Sequence, residues 1–124
     1  MGVGTMIKKD MLDFEIDFYE RLVKRKKDFV DALIPLAEAY TRKGLYRKGL
    51  AIDRRLARIL KDDPLVHYNL ACSLALLGEA EKAIQELKKA VRRGYDDFRH
   101  MRKDSDLASL HGHPEFKKIA SGKA

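Results

Sequence analysis

Two stretches decide the fold: LIPLAEAYTRKGLYRKGL (Leu33–Leu50) and HYNLACSLALLGEAEKAI (His67–Ile84). They superimpose without a gap when Gly44 is laid over Gly78, a period of 34 residues. Ahead of each glycine a stripe recurs at i, i+3, i+4 and i+7: Leu33, Leu36, Ala37 and Tyr40 in one copy, His67, Leu70, Ala71 and Leu74 in the other. That spacing predicts a first helix in each. Behind the glycines come Tyr46, Gly49, Leu50 and Leu56, then Ala80, Ala83, Ile84, Leu87 and Ala90, which predict a second helix. A glycine between them takes the left-handed backbone that ends one helix and reverses the chain. Small residues, Ala37 and Gly49 in one copy and Ala71 and Ala83 in the other, let the paired backbones approach closely. Each stretch therefore reads as an antiparallel helical hairpin.

Working outward, the chain has helical spacing throughout, no strand-like alternation, and only 3 prolines in 124 residues. Upstream, Phe14, Phe18 and Leu22 recur every four residues and predict one more helix. Met1–Thr5, with glycines at positions 2 and 4, read as a flexible start. Downstream, Gly94 ends the last repeat helix, and Asp97, Ser105 and His113-Pro114 read as openings for three short helices. Phe98, Met101, Leu107, Leu110, Phe116 and Ile119 would give these their apolar contacts.

The series Leu36, Ala37, Tyr40, Gly44, Tyr46, Gly49 resembles the tetratricopeptide repeat, and the second copy, with Tyr68-Asn69-Leu70-Ala71, is similar but weaker. There Leu74 replaces the tyrosine and Ala80 the aromatic, and Lys27 and Lys61 stand where the family has proline. Asp53 occupies an apolar family position, which implies either a salt bridge with Arg54 or Arg55 or a loosened seam. The resemblance implies an all-α fold: a right-handed antiparallel helix-hairpin solenoid of about two and a half repeats with a short-helix C-terminal cap. Its expected organisation over residues 1–124 is a single domain with a half-repeat helix at 12–27, repeats at 30–61 and 64–93, and a capping tail at 94–120. The tail, with Asp106-Leu107 leading to His113-Pro114 and Phe116, resembles the extension that follows terminal repeats in bacterial members, so a bacterial source is expected. Because stacked repeats need covered ends, an uncovered face on the first helix would be relieved by homodimerisation.

Composition sets outer limits. Charged residues make up 36% and hydrophobic residues 45%, a balance that folds and excludes a membrane-inserted chain. No run approaches the ~18 apolar residues of a spanning helix, and no signal-peptide core is present, so a cytoplasmic location is expected. One cysteine, Cys72, cannot form an internal disulfide. A net charge of +7 permits acidic partners or nucleic acid without specifying either.

The resemblance implies a concave groove lined by the first helices: Asp31, Ile34, Glu38, Thr41 and Arg42, then Leu65, Tyr68, Asn69, Cys72, Ala75 and Leu76. A mixed first half and an apolar second half suit a partner peptide or helix with an apolar anchor flanked by charge. The same apolar second half equally suits packing against the tail. Of the family's carboxylate clamp only Asn69 is matched, with Ile34 and Glu38 where lysine and asparagine belong, so chaperone-tail binding is not implied. A second candidate is the basic stripe of the second helices, Arg47, Lys48, Arg54, Arg55, Arg58, Lys88, Lys89 and Arg92, which could meet a polyanion or nucleic acid. It lacks the interleaved aromatics of single-strand binders, and a solvated helix face accounts for it. No nucleophile-base pair, phosphate loop or metal motif is visible, so no enzyme activity, cofactor or metal is expected. His100, Asp104, His111 and His113 have weak metal-ligand spacing and read as loop residues, and Cys72 as a small apolar residue.

Overall fold

The computed structural model describes residues 2–123, with side chains from Met11 onward. It is all-helical: α1 (Gly2–Arg25), α2 (Val30–Lys43), α3 (Tyr46–Ile59), α4 (Pro64–Leu76), α5 (Ala80–Arg92), α6 (Phe98–Lys103), a 3-10 turn η1 (Ser105–Leu110) and α7 (Pro114–Ala120). Two compact units divide the chain within α3, at residues 52 and 53. The upstream helix begins earlier than expected, at Gly2, so the glycines at its start do not interrupt it.

The hairpin turns follow the sequence closely. Gly44 has φ 83° and Gly78 φ 78°, both left-handed. At the first, the Leu45 N–H donates to the Tyr40 carbonyl, and at the second Glu79 donates to Leu74, the same bond shifted by the repeat period. Asp63 caps α4 by accepting from the Leu65 and Val66 N–H groups, with Pro64 at the first helical position where its missing donor costs nothing.

In the first unit α1 runs antiparallel to α2. Tyr40 donates to Glu20, Arg42 pairs with Glu15 at 2.8 Å and Lys43 pairs with Asp13, so partners descend one helix as they climb the other. Ile16 and Val23 of α1 are buried, as are Leu33, Leu36, Ala37 and Tyr40 of α2. Gly49 is a packing glycine: a Cβ there would lie 3.3 Å from Thr41 Oγ1 and 3.7 Å from the Ala37 carbonyl, so α3 approaches α2 closely at this point.

In the second unit α4 is the central element. From Val66 to Ala75 every residue except Asn69 is buried, on all sides of the helix. A helix apolar all round must be covered all round. One side is covered by α5 through Ala83, Ile84, Leu87 and Ala90, and another by η1, whose Leu107 and Leu110 are fully buried. By area bookkeeping each such leucine contributes up to ~1.5–3 kcal/mol. The tail closes on itself and on α5: Arg102 donates to the Ala120 carbonyl at 2.6 Å, and Lys88 pairs with Glu115 at 2.7 Å. Asp97 and His113 cap α6 and α7 as expected, whereas the cap of η1 is Asp104 rather than Ser105. Asp53, read from sequence as a salt-bridge residue or a loosened seam, is buried and accepts from the Ser73 hydroxyl at 2.5 Å.

Candidate functional site

On α2, four of the five expected groove residues share one outward strip. Asp31, Ile34, Glu38 and Arg42 are exposed and Thr41 is half-buried, its hydroxyl donating to the Ala37 carbonyl. Ile34 is 38% exposed, a large apolar side chain among charges. Arg42 is held by Glu15, an exposed pair of small energetic value that nonetheless fixes where the guanidinium lies.

On α4 the expected groove residues divide. Leu65 is 56% exposed and Asn69 half-buried, while Tyr68 and Cys72 lie beneath the tail. Tyr68 stacks on Tyr95 with ring centroids 4.3 Å apart and planes 3° from parallel, and its hydroxyl donates to Asp104 Oδ2 at 2.6 Å. The Cys72 thiol points at the same oxygen at 3.7 Å. Asp104 Oδ1 accepts the Asp106 N–H at 3.0 Å, and His100 Nε2 stands 3.2 Å from Asp104 Oδ2. One level down, Ser109 donates to the Ala75 carbonyl. This face of α4 is therefore occupied by the chain's own tail.

The electrostatics of that node follow from its burial. Tyr68 is pushed well above the usual phenol range by burial, then by the bond to Asp104. Cys72 is raised by burial, then by the charges of Asp104 and Asp106, which disfavours the thiolate. Burial and Asp104 likewise raise Asp106. Cys72, Asp104 and Asp106 bring their ligand atoms within 4.8 Å of one another. With the Tyr68 hydroxyl and the Asp106 N–H both donating to Asp104, the cluster forms a hydrogen-bonded latch between α4 and the tail.

The basic residues are distributed less simply than a stripe. Arg47, Arg54, Arg58 and Arg92 are exposed and Arg55 half-buried. Lys48 lies over the Tyr40 ring, 5.7 Å from its centroid, and Lys89 reaches Glu86 at 3.4 Å. With Lys88 held by Glu115, part of the positive charge is locally compensated. Of the histidines with ligand-like spacing, His113 caps α7, and His111 packs against Phe116 with centroids 5.3 Å apart. Sequence reasoning placed His67 in the buried stripe but not its partners: Nδ1 lies 2.9 Å from Glu86 and Nε2 2.6 Å from the Lys61 carbonyl. It also missed Asp104 as the latch; the Asp104-Ser105-Asp106 capping pattern was the available signal.

Comparison with known proteins supports the fold. The structure of MamA matches 98% of this chain and 71% of its own, with a TM-score of 0.75 at 19% sequence identity. That likeness, together with consecutive packed helix pairs and no strand among the described residues, makes the fold an all-α helix-hairpin fold of tetratricopeptide-like type. In sequence, a chloroplast protein of Arabidopsis thaliana is 27% identical over 103 residues, covering 78% of this chain. The chain spans 28% of that relative's length. No protein-family model matches the chain. Among the described residues, no helix is long and apolar enough to cross a membrane.

Proposed function

We propose that the chain is a protein-interaction adaptor that holds a peptide or helix of a partner on the outward strip of α2. The observation that carries this reading is Ile34, an exposed apolar residue with Asp31, Glu38 and Arg42 around it, on a helix whose other face is buried. An apolar anchor set among charges is how a groove or helix face selects an amphipathic segment. Within the second unit, Leu65 repeats the pattern at the start of α4, where the tail leaves it exposed. The tail's cover over Tyr68 and Cys72 assigns those two residues to holding the tail. The partner-binding role in the first unit then falls on Asp31, Ile34, Glu38, Thr41 and Arg42.

The test is affinity capture from the source cells with the purified chain and its Ile34→Asp and Glu38→Arg variants. Both substitutions are on exposed positions, so circular dichroism should be unchanged. A partner retained by the parent and lost by both variants supports the strip. Identical recoveries from all three would remove α2 as the binding face.

A further inference from the structure

α1 has a second face. Ile16 and Val23 are buried on the side facing α2, and roughly opposite them Met11, Phe14 and Phe18 recur at i, i+3 and i+7, exposed to 63%, 71% and 49%. Half-buried Leu22 continues the stripe by one turn. Taking roughly 200 Å² per large side chain, these three leave on the order of 350 Å² of apolar surface in water, within the range of the functional patches on monomers. Along one flank of this stripe the charges are ordered: Asp17 toward its N-terminal half, then Arg21 and Lys24 toward its C-terminal half, with Asp17 and Arg21 paired at 3.1 Å.

We propose that this face pairs with the same face of a second copy of the chain, α1 against α1, antiparallel about a two-fold axis near Phe18. A two-fold interface must be complementary to itself. In an antiparallel pair a flank meets its own reversed copy, so Asp17 of each chain falls within a turn of Arg21 of the other and two ion pairs become a four-charge network. A parallel two-fold pair would bring this flank against the partner's opposite flank, and Asp17 would lose the second copy's Arg21. The apolar register closes in the same arrangement: Phe18 meets Phe18 of the second copy, and Phe14 meets its Leu22. The patch then forms the dry centre of an interface that needs ~800 Å² per partner, the rest coming from polar flanks. An anionic membrane is a poorer occupant, because Asp17 sits beside the apolar stripe. The pairing uses a different face from α2's outward strip, so it stands or falls separately from the adaptor reading.

Sedimentation equilibrium on the purified chain tests it, with Phe14→Glu/Phe18→Glu, Asp17→Arg and Asp17→Arg/Arg21→Asp. The expected results are a concentration-dependent dimer, a monomer of unchanged helicity for the double glutamate, a Kd raised about three- to tenfold by the single charge reversal, and recovery in the double reversal. Phe18→Cys should cross-link as a dimer on mild oxidation, since Cys72 is buried. A parent chain that is monomeric at every concentration overturns the proposal. So does a dimer indifferent to the glutamates, or a monomer that uses Phe14 and Phe18 to bind anionic vesicles or an amphipathic peptide.

Discussion

Tyr68 and Asp104, 36 residues apart, are joined by a 2.6 Å hydrogen bond that ties the face of α4 to the first turn of η1. Around it gather the Cys72 thiol, the Asp106 N–H and the Tyr95 ring. The bond turns a helix that would otherwise offer a groove into the centre of a packed unit.

Removing the donor should loosen the tail. Tyr68→Phe keeps the ring and its stacking but strips one bond to a charged acceptor, an expected cost of about 1.5–3 kcal/mol in urea unfolding with the slope unchanged. Asp104→Ala should cost more, because it also uncaps η1. A double-mutant cycle with Tyr68→Phe should give a coupling well above zero; additivity would show that the bond contributes nothing.

Cys72 should be chemically silent in the native protein. Burial and the neighbouring carboxylates hold the thiol well above its usual range, so thiolate is scarce at neutral pH. Ellman's reagent should react at the rate of tail opening and become fast in denaturant. Prompt native-state reaction would contradict the latch.

Asp106 gives a pH signature. Its folded-state value is raised by burial and by Asp104, so protonation favours the folded state, and the penalty of its charge is absent at low pH and fully present once pH rises above the folded value. Asp106→Asn should therefore melt higher than the parent at neutral pH, with the gap closing as pH falls through the carboxylate range. Parallel melting curves across pH would refute this.

The turn glycines should be costly to replace for a purely backbone reason. A Cβ at Gly44 or Gly78 meets nothing within 4 Å, yet both have positive φ. Alanine at either should destabilise by about 1–2 kcal/mol. Gly49→Val is different in kind: its Cβ would crowd Thr41 Oγ1 and its two methyls have no free space beside the Ala37 carbonyl and Tyr40, so it should damage the α2 and α3 approach and lower the melting temperature.

Much of the architecture was legible because its signals are local. The repeat period, the left-handed glycines and the caps at Asp97 and His113 are each set by a few neighbouring residues, and the structure places them as read. The length of α1 and the cap of η1 were misread where glycines and adjacent Asp and Ser residues left the local preference degenerate.

The sequence by itself determined that α4 wants burial on all sides, since its apolar residues leave no polar stripe. Only the tertiary structure decided what buries it. Tyr68 and Cys72 would carry the same pattern under a partner's peptide or under residues 94–120, because hydrophobic periodicity records how much surface must leave water and says nothing of which surface comes to cover it. The pairing of Asp53 with Ser73 was hidden for the same reason: a buried carboxylate finds its donor through space, 20 residues along the chain, where no local rule reaches.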